Sequence, residues 1–192
     1  MGEKKDFLPQ RGNYENLTVY KLATCIYAVT YLFANTYFSK RDRTIDQMVQ
    51  AARSAKQNIA EGSVDGNTST EMEIKLMNTA RGSMHELKAD FEDYLTHHGL
   101  ECWSSNDRRT IATRRFCKAN SDPNVFIAKC KERSPETVAN IVLTMIHQYD
   151  YLMVRLIESI KRRFLEQGGI KEQMYRARIE HRDKQRLDSK SS

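Results

Sequence analysis

The sequence predicts an all-α fold, an up-down four-helix bundle with a short helical insertion between its third and fourth helices and a C-terminal helical tail. Three observations carry this reading. Four long segments repeat apolar residues at spacings of three and four, the period of a helix with one buried face. A short polar turn, 63–70, joins the second segment to the third, which makes a helical hairpin. A punctuated stretch, with Gly99, Ser104-Ser105-Asn106-Asp107 and Asp122-Pro123, separates the third from the fourth.

In chain order, residues 1–13 are polar, contain Pro9 and Gly12, and read as a flexible N-terminal arm. The bundle then occupies 14–167, with the insertion at 100–134. The first helix is expected from Glu15 to Phe38. Val19, Ala23, Ile26, Thr30, Phe33 and Tyr37 form one stripe, and Leu22, Cys25, Val29 and Leu32 a second beside it. So broad an apolar face needs two burial surfaces: the bundle itself and, as the second, another subunit. The second helix is expected to start at Thr44 as N-cap, with Asp46 in its first turn. Its inner face reads Ile45, Met48, Val49, Ala52, Ala55 and Ile59, and Gly62 closes it. The third helix opens on a capping box, Thr68-x-x-Glu71 or Thr70-x-x-Glu73, and runs to His97. Its stripe is Met72, Leu76, Ala80, Ser83, Leu87, Phe91 and Tyr94. Gly82 inside it implies something packed hard against the backbone.

Two short helices are expected in the insertion, about 106–118 and 123–132 by cap and turn signals, the second capped by Asp122 with Pro123 at its first position. Ser134 caps the fourth helix and Pro135 begins it. Its apolar residues run from Val138 to Phe164 at helical spacing, and Gly168-Gly169 ends it near Gln167. Residues 168–192 read as a basic tail, helical or disordered. Glu172, Arg176, Glu180 and Lys184 at i, i+4 spacing favour a helix, and the last residues, from Asp188, are expected to be disordered.

Charge is unevenly placed. Residues 1–99 carry 12 basic and 13 acidic side chains, 100–135 carry 8 and 4, 136–160 carry 1 and 3, and 161–192 carry 10 and 5. The basic character lies in the insertion and the tail, which points to a polyanionic partner there. The candidate phosphate-binding side chains are Arg108, Arg109, Arg114, Arg115 and Lys118 in the insertion, with Trp103 and Phe116 nearby. In the tail they are Arg162, Arg163, Arg176, Arg178 and Arg182.

Motifs of catalysis are absent: no Gly-x-x-x-x-Gly-Lys-Ser/Thr, Gly-x-Gly-x-x-Gly or Gly-x-Ser-x-Gly. None of His85, His97, His98, His147 or His181 follows Glu by three residues, as di-iron bundles require. No catalytic residue, metal or cofactor is therefore expected, and His147 with Asp150 reads as a satisfied polar pair. Cys25, Cys102, Cys117 and Cys130 form no Cys-x-x-Cys and read as reduced thiols of a cytoplasmic protein. No apolar run is long enough to span a bilayer, and no secretory signal or myristoylation site opens the chain.

Three groups of residues carry a family resemblance. Asn58-Ile59-Ala60-Glu61-Gly62 follows Ala51-Ala52 and Ser54, the third helix has Ala80-x-Gly82-Ser83-x-x-Glu86-Leu87, and the first has Leu17-x-Val19-Tyr20-x-x-Ala23. Over about 14–98 the chain resembles the four-helix-bundle proteins encoded in intervening sequences of bacterial 23S ribosomal RNA genes. It also resembles their relative, the accessory variability protein of diversity-generating retroelements. The resemblance implies a homopentameric barrel of bundles without catalytic activity, and, from the relative, binding of nucleic acid and of a reverse transcriptase. Gln50 departs from the basic residue common in that family, and the insertion and tail fit a longer subgroup. Glu61, read as lying at a helix C-terminus, needs a cationic partner there, with Arg53 and Arg81 as candidates.

Overall fold

A computed structural model describes residues 14–66 and 69–188. The N-terminal arm, Thr68 of the first capping box and residues 189–192 lie outside them. Among the described residues the chain is all helical and has no strand. A 3-10 turn, Tyr14–Asn16, precedes α1 (Thr18–Tyr37), α2 (Arg43–Asp65), α3 (Thr70–His97), α4 (Arg108–Ala119), α5 (Pro123–Cys130), α6 (Pro135–Gln167) and α7 (Ile170–Asp188). None of the described helices is long and apolar enough to cross a membrane.

The four long helices share one core. α1 packs on α2 and α6, and α3 packs on the same two, so each has two neighbours. Contacts at Gly62–Leu76 and Ser54–Ser83 run in opposite chain directions, as do Glu73–Arg163 and Arg81–Asp150, so α3 lies antiparallel to both α2 and α6. At one end of the core Phe33 meets Phe91 and Tyr94, with ring centroids 4.9 and 4.8 Å away.

Several local expectations change. Asp42, not Thr44, caps α2: its carboxylate accepts the Thr44 N–H at 2.9 Å, which also lowers its pKa. Ser69 caps α3, accepting the Met72 N–H at 3.2 Å. The α3 stripe shifts by one residue in its first two turns, so Glu73 and Met77 are buried while Met72 is 41% exposed. In the insertion the Asp122–Pro123 cap and the Ser134–Pro135 start of α6 form as expected.

Gly62 does not stop α2. It sits inside the helix, three residues before its end, and is buried. A Cβ there would lie 3.1 Å from Leu76 Cβ and 3.1 Å from Met77 Cε, so the missing side chain lets α2 and α3 approach. The helix continues because nothing in its backbone demands the left-handed conformation; the described glycines with positive φ are Gly99 and Gly168. Gly62→Leu is expected to cost about 1–3 kcal/mol by forcing the helices apart. The readout is a lower urea midpoint at unchanged slope, and an unmoved midpoint would show slack at this contact. Gly82 shows the opposite: it is exposed, and an added Cβ would meet nothing within 4 Å. Among the described residues nothing packs against it.

The second apolar stripe of α1 is covered from within the chain. α5 packs across α1, where Cys25 and Val29 are buried, and the Cys25 thiol lies 3.5 Å from the Ser121 carbonyl just ahead of α5. The Tyr37 hydroxyl donates to the Arg133 carbonyl at 2.6 Å. The insertion thus takes the place expected of a second subunit. α6 keeps buried residues up to Ile160, and from Lys161 to Gln167 it overhangs the core with every side chain exposed.

Candidate nucleic-acid interface

The insertion is held on α6 by one buried side chain that the sequence did not single out. Asn140 is 2% exposed. Its Oδ1 accepts the Trp103 N–H at 2.8 Å, and its Nδ2 donates to the carbonyls of Glu101 and Glu136 at 2.8 and 2.9 Å. The amide oxygen and one amide N–H fix the loop that leads into α4, and the other N–H bonds back within α6. A polar residue at an otherwise apolar position of α6 is the only sequence signal for it.

Arg109 belongs to the same anchor. Its guanidinium lies 2.7 Å from Asp107 and 2.8 Å from Glu101, reaches to 3.9 Å from Glu136, and covers the Trp103 ring at 4.5 Å. Three carboxylates around one cation leave it little charge to offer a phosphate. Arg114 is half-buried and donates to the Ser105 carbonyl at 3.2 Å, while its own carbonyl accepts from Gln148 of α6.

Arg108, Arg115 and Lys118 differ. With Ile111, Ala112 and Ala119 they fall at i, i+3, i+4, i+7, i+10 and i+11, a single face of α4. The opposite face buries Thr110 and Thr113. All three cations are exposed and form no ion pair among the described residues. They make an uncompensated positive strip, flanked by a 37% exposed Ile111.

The tail candidates are not brought to this strip. α4 sits over Asn140 and Gln148, whereas α7 starts beyond Gly168, about 30 Å further along α6 at 1.5 Å per residue. Arg162, Arg178 and Arg182 are exposed, and Arg176 reaches the Gln167 carbonyl at 3.5 Å. The spacing of Glu172 with Arg176 and of Glu180 with Lys184 yields no ion pair; Glu172 instead accepts the Gly169 N–H at 3.0 Å.

Arg163 is drawn inward to Glu73, 2.5 Å away. Glu73 is 6% exposed, and burial pushes its carboxyl up while Arg163 pulls it part of the way back. Its folded pKa lies above its unfolded value, so proton uptake favours the folded chain. The burial penalty is absent below the unfolded pKa and fully felt above the folded one. The parent is therefore expected to gain stability relative to Glu73→Gln as pH falls through that window. Urea titrations of both proteins from about pH 3.5 to 7 check this, and parallel curves would show that the carboxylate is not desolvated.

The motif residues have structural partners. Asn58 donates to the Ser54 carbonyl at 2.9 Å, and the Ser54 and Ser83 hydroxyls meet at 3.0 Å across α2 and α3. Ile59 is fully buried and Ala60 half-buried. Glu61 is exposed and pairs with neither candidate arginine, because α2 continues past it and Arg81 turns to Asp150 at 2.5 Å. His85, not His147, completes that cluster, 3.0 Å from Asp150. The α2–α3 seam opens outward as a groove over Ser54 and Ser83, rimmed by Asp46, Gln50, Glu86 and Asp90.

Among the described residues no group of three or more His, Cys, Asp or Glu side chains is placed to hold a metal. Burial pushes the thiols of Cys25 and Cys130 up to about 11 and that of Cys117 to about 12, so all three stay protonated near neutral pH.

Residues 15–97 match the 23S rRNA-intervening sequence protein family, a stretch from within the 3-10 turn to the end of α3. No curated protein and no solved structure matches the chain.

Proposed function

We propose that this protein is a non-enzymatic, oligomeric scaffold of the bacterial cytoplasm that binds nucleic acid, together with or through a nucleic-acid-processing partner such as a reverse transcriptase. The observation that carries this reading is the match of α1–α3 to the intervening-sequence family. The strip of Arg108, Arg115 and Lys118 supports it by supplying cations with no ion-pair partner among the described residues. In this reading α1, α2, α3 and α6 form an up-down four-helix bundle, and five copies assemble as the resemblance implies. The insertion and α7 are additions of a longer subgroup resembling the retroelement accessory protein.

Light scattering checks the assembly: five copies of the 22.4 kDa chain are expected, and a monomer at micromolar concentration overturns it. A gel shift with RNA or DNA that collapses as salt rises checks the binding. No shift at low salt would leave a protein–protein interaction module without nucleic-acid affinity, which the near-neutral body of residues 1–99 favours.

A further inference from the structure

α7 presents a face that no described part of its own chain covers. Lys171, Met174, Tyr175, Arg178 and Arg182 recur at i, i+3, i+4, i+7 and i+11 and share one side of the helix. All five are exposed, Met174 by 48% and Tyr175 by 66%. Glu172, Glu180 and Asp183 project from other sides of the turn. No described side chain of α7 is buried. Helices draw most of their stability from packing an amphipathic face, so this one lacks its partner.

The α2–α3 groove has the complementary character. Asp46, Glu86 and Asp90 line it and form no ion pair among the described residues. Burial pushes the Asp90 carboxyl up, and the neighbouring Asp93 and Glu86 push it further. Ser54 and Ser83 make a shallow floor, and Gly82, one turn before Glu86 on α3, leaves open space where a side chain would stand. A helix can approach such a surface closely.

We infer that α7 of one copy docks its basic and apolar face into the α2–α3 groove of a second copy. Arg178 and Arg182 are one turn apart, about 6 Å, as are Glu86 and Asp90 on α3. The same chain cannot make the contact. α6 ends about 6 Å past the level of Glu73, and Glu86 lies about 20 Å back down α3, with a helix width of about 10 Å to cross. Gly168-Gly169 and the helix up to Arg178 together reach only about 19 Å. Phosphates would satisfy the cations but leave Met174 and Tyr175 in water, whereas a protein groove accounts for both. The contact joins two different surfaces, the geometry that closes into rings. It rests on the oligomeric part of the reading above, and it assigns Arg178 and Arg182 to assembly while leaving the α4 strip for nucleic acid.

The test uses the full chain, treated with nuclease, with Cys102→Ser, Gly82→Cys and Tyr175→Cys. After mild oxidation, a denaturing gel without reductant is expected to show a ladder of linked copies, while each single-cysteine chain runs as a monomer. Adding Glu86→Lys/Asp90→Lys is expected to erase the ladder, and further adding Arg178→Glu/Arg182→Glu to restore it. An internally linked monomer, no new bond, a dimer from either single-cysteine chain, or a ladder indifferent to charge reversal overturns the inference. Because no nucleic acid is present, failure here leaves the gel shift of the α4 strip unaffected. A monomer by light scattering would instead remove the oligomeric reading itself.

Discussion

Phe33→Ala is expected to lower stability by about 3–5 kcal/mol, among the largest effects of any single substitution in this chain. Phe33 is fully buried. Its ring meets Tyr37, Phe38, Phe91 and Tyr94 with centroids 5.0, 6.0, 4.9 and 4.8 Å away. Those partners come from α1, the turn after it and α3, so the truncated side chain leaves a cavity that no single helix can close by shifting. Tilted and edge-on ring pairs add to the cost of the exposed area. Thermal unfolding should fall by about 2–4 °C for each kcal/mol in a chain of this size, a drop of roughly 10 °C. Phe33→Leu, which refills much of the volume, should recover most of it. Equal losses for Ala and Leu would place the energy in ring geometry rather than in filled volume.

Reversing Arg108, Arg115 and Lys118 together to glutamate is expected to have the largest effect on nucleic-acid binding. The three side chains are exposed and pair with no carboxylate among the described residues, so thermal stability should hold. For each phosphate no longer neutralised, the slope of log affinity against log salt should fall by about one, or about three in all. Arg109→Ala is the control. Its guanidinium is engaged by Asp107, Glu101 and Trp103, so it should loosen the insertion and leave the salt slope unchanged. A slope equal in parent and triple variant, or one that falls with Arg109→Ala alone, would remove the strip from the interface.

The contrast between Arg109 and its neighbours marks the boundary of sequence reading. Composition places ten candidate cations in two segments and cannot rank them, because rank depends on which carboxylates stand nearby in space. Glu101 and Glu136 flank Arg109 only after the loop folds over α6, and Glu73 meets Arg163 across 90 residues of chain. Asn140 is silent in the sequence for the same reason: its three partners are backbone groups, which carry no residue-type signal.

Helices were legible because their evidence is local. Apolar period, the caps at Asp122 and Ser134, and the glycines after Gln167 act within a few residues of themselves, and they placed α4, α5 and α6 within a turn. Glycine inside a helix was not legible. Gly62 reads as a helix stop and Gly82 as a close contact, yet Gly62 lets α2 meet α3 and Gly82 faces open space, a difference made by residues more than ten positions away. The breadth of the apolar face on α1 likewise required a second cover. Only packing decided that α5 supplies it, since burial is satisfied by any apolar surface brought within reach, and chain connectivity brings this one first. Helical class, element order and the whereabouts of charge follow from neighbours along the chain; which cations stay free, which glycines are needed and what covers each face follow from neighbours in space.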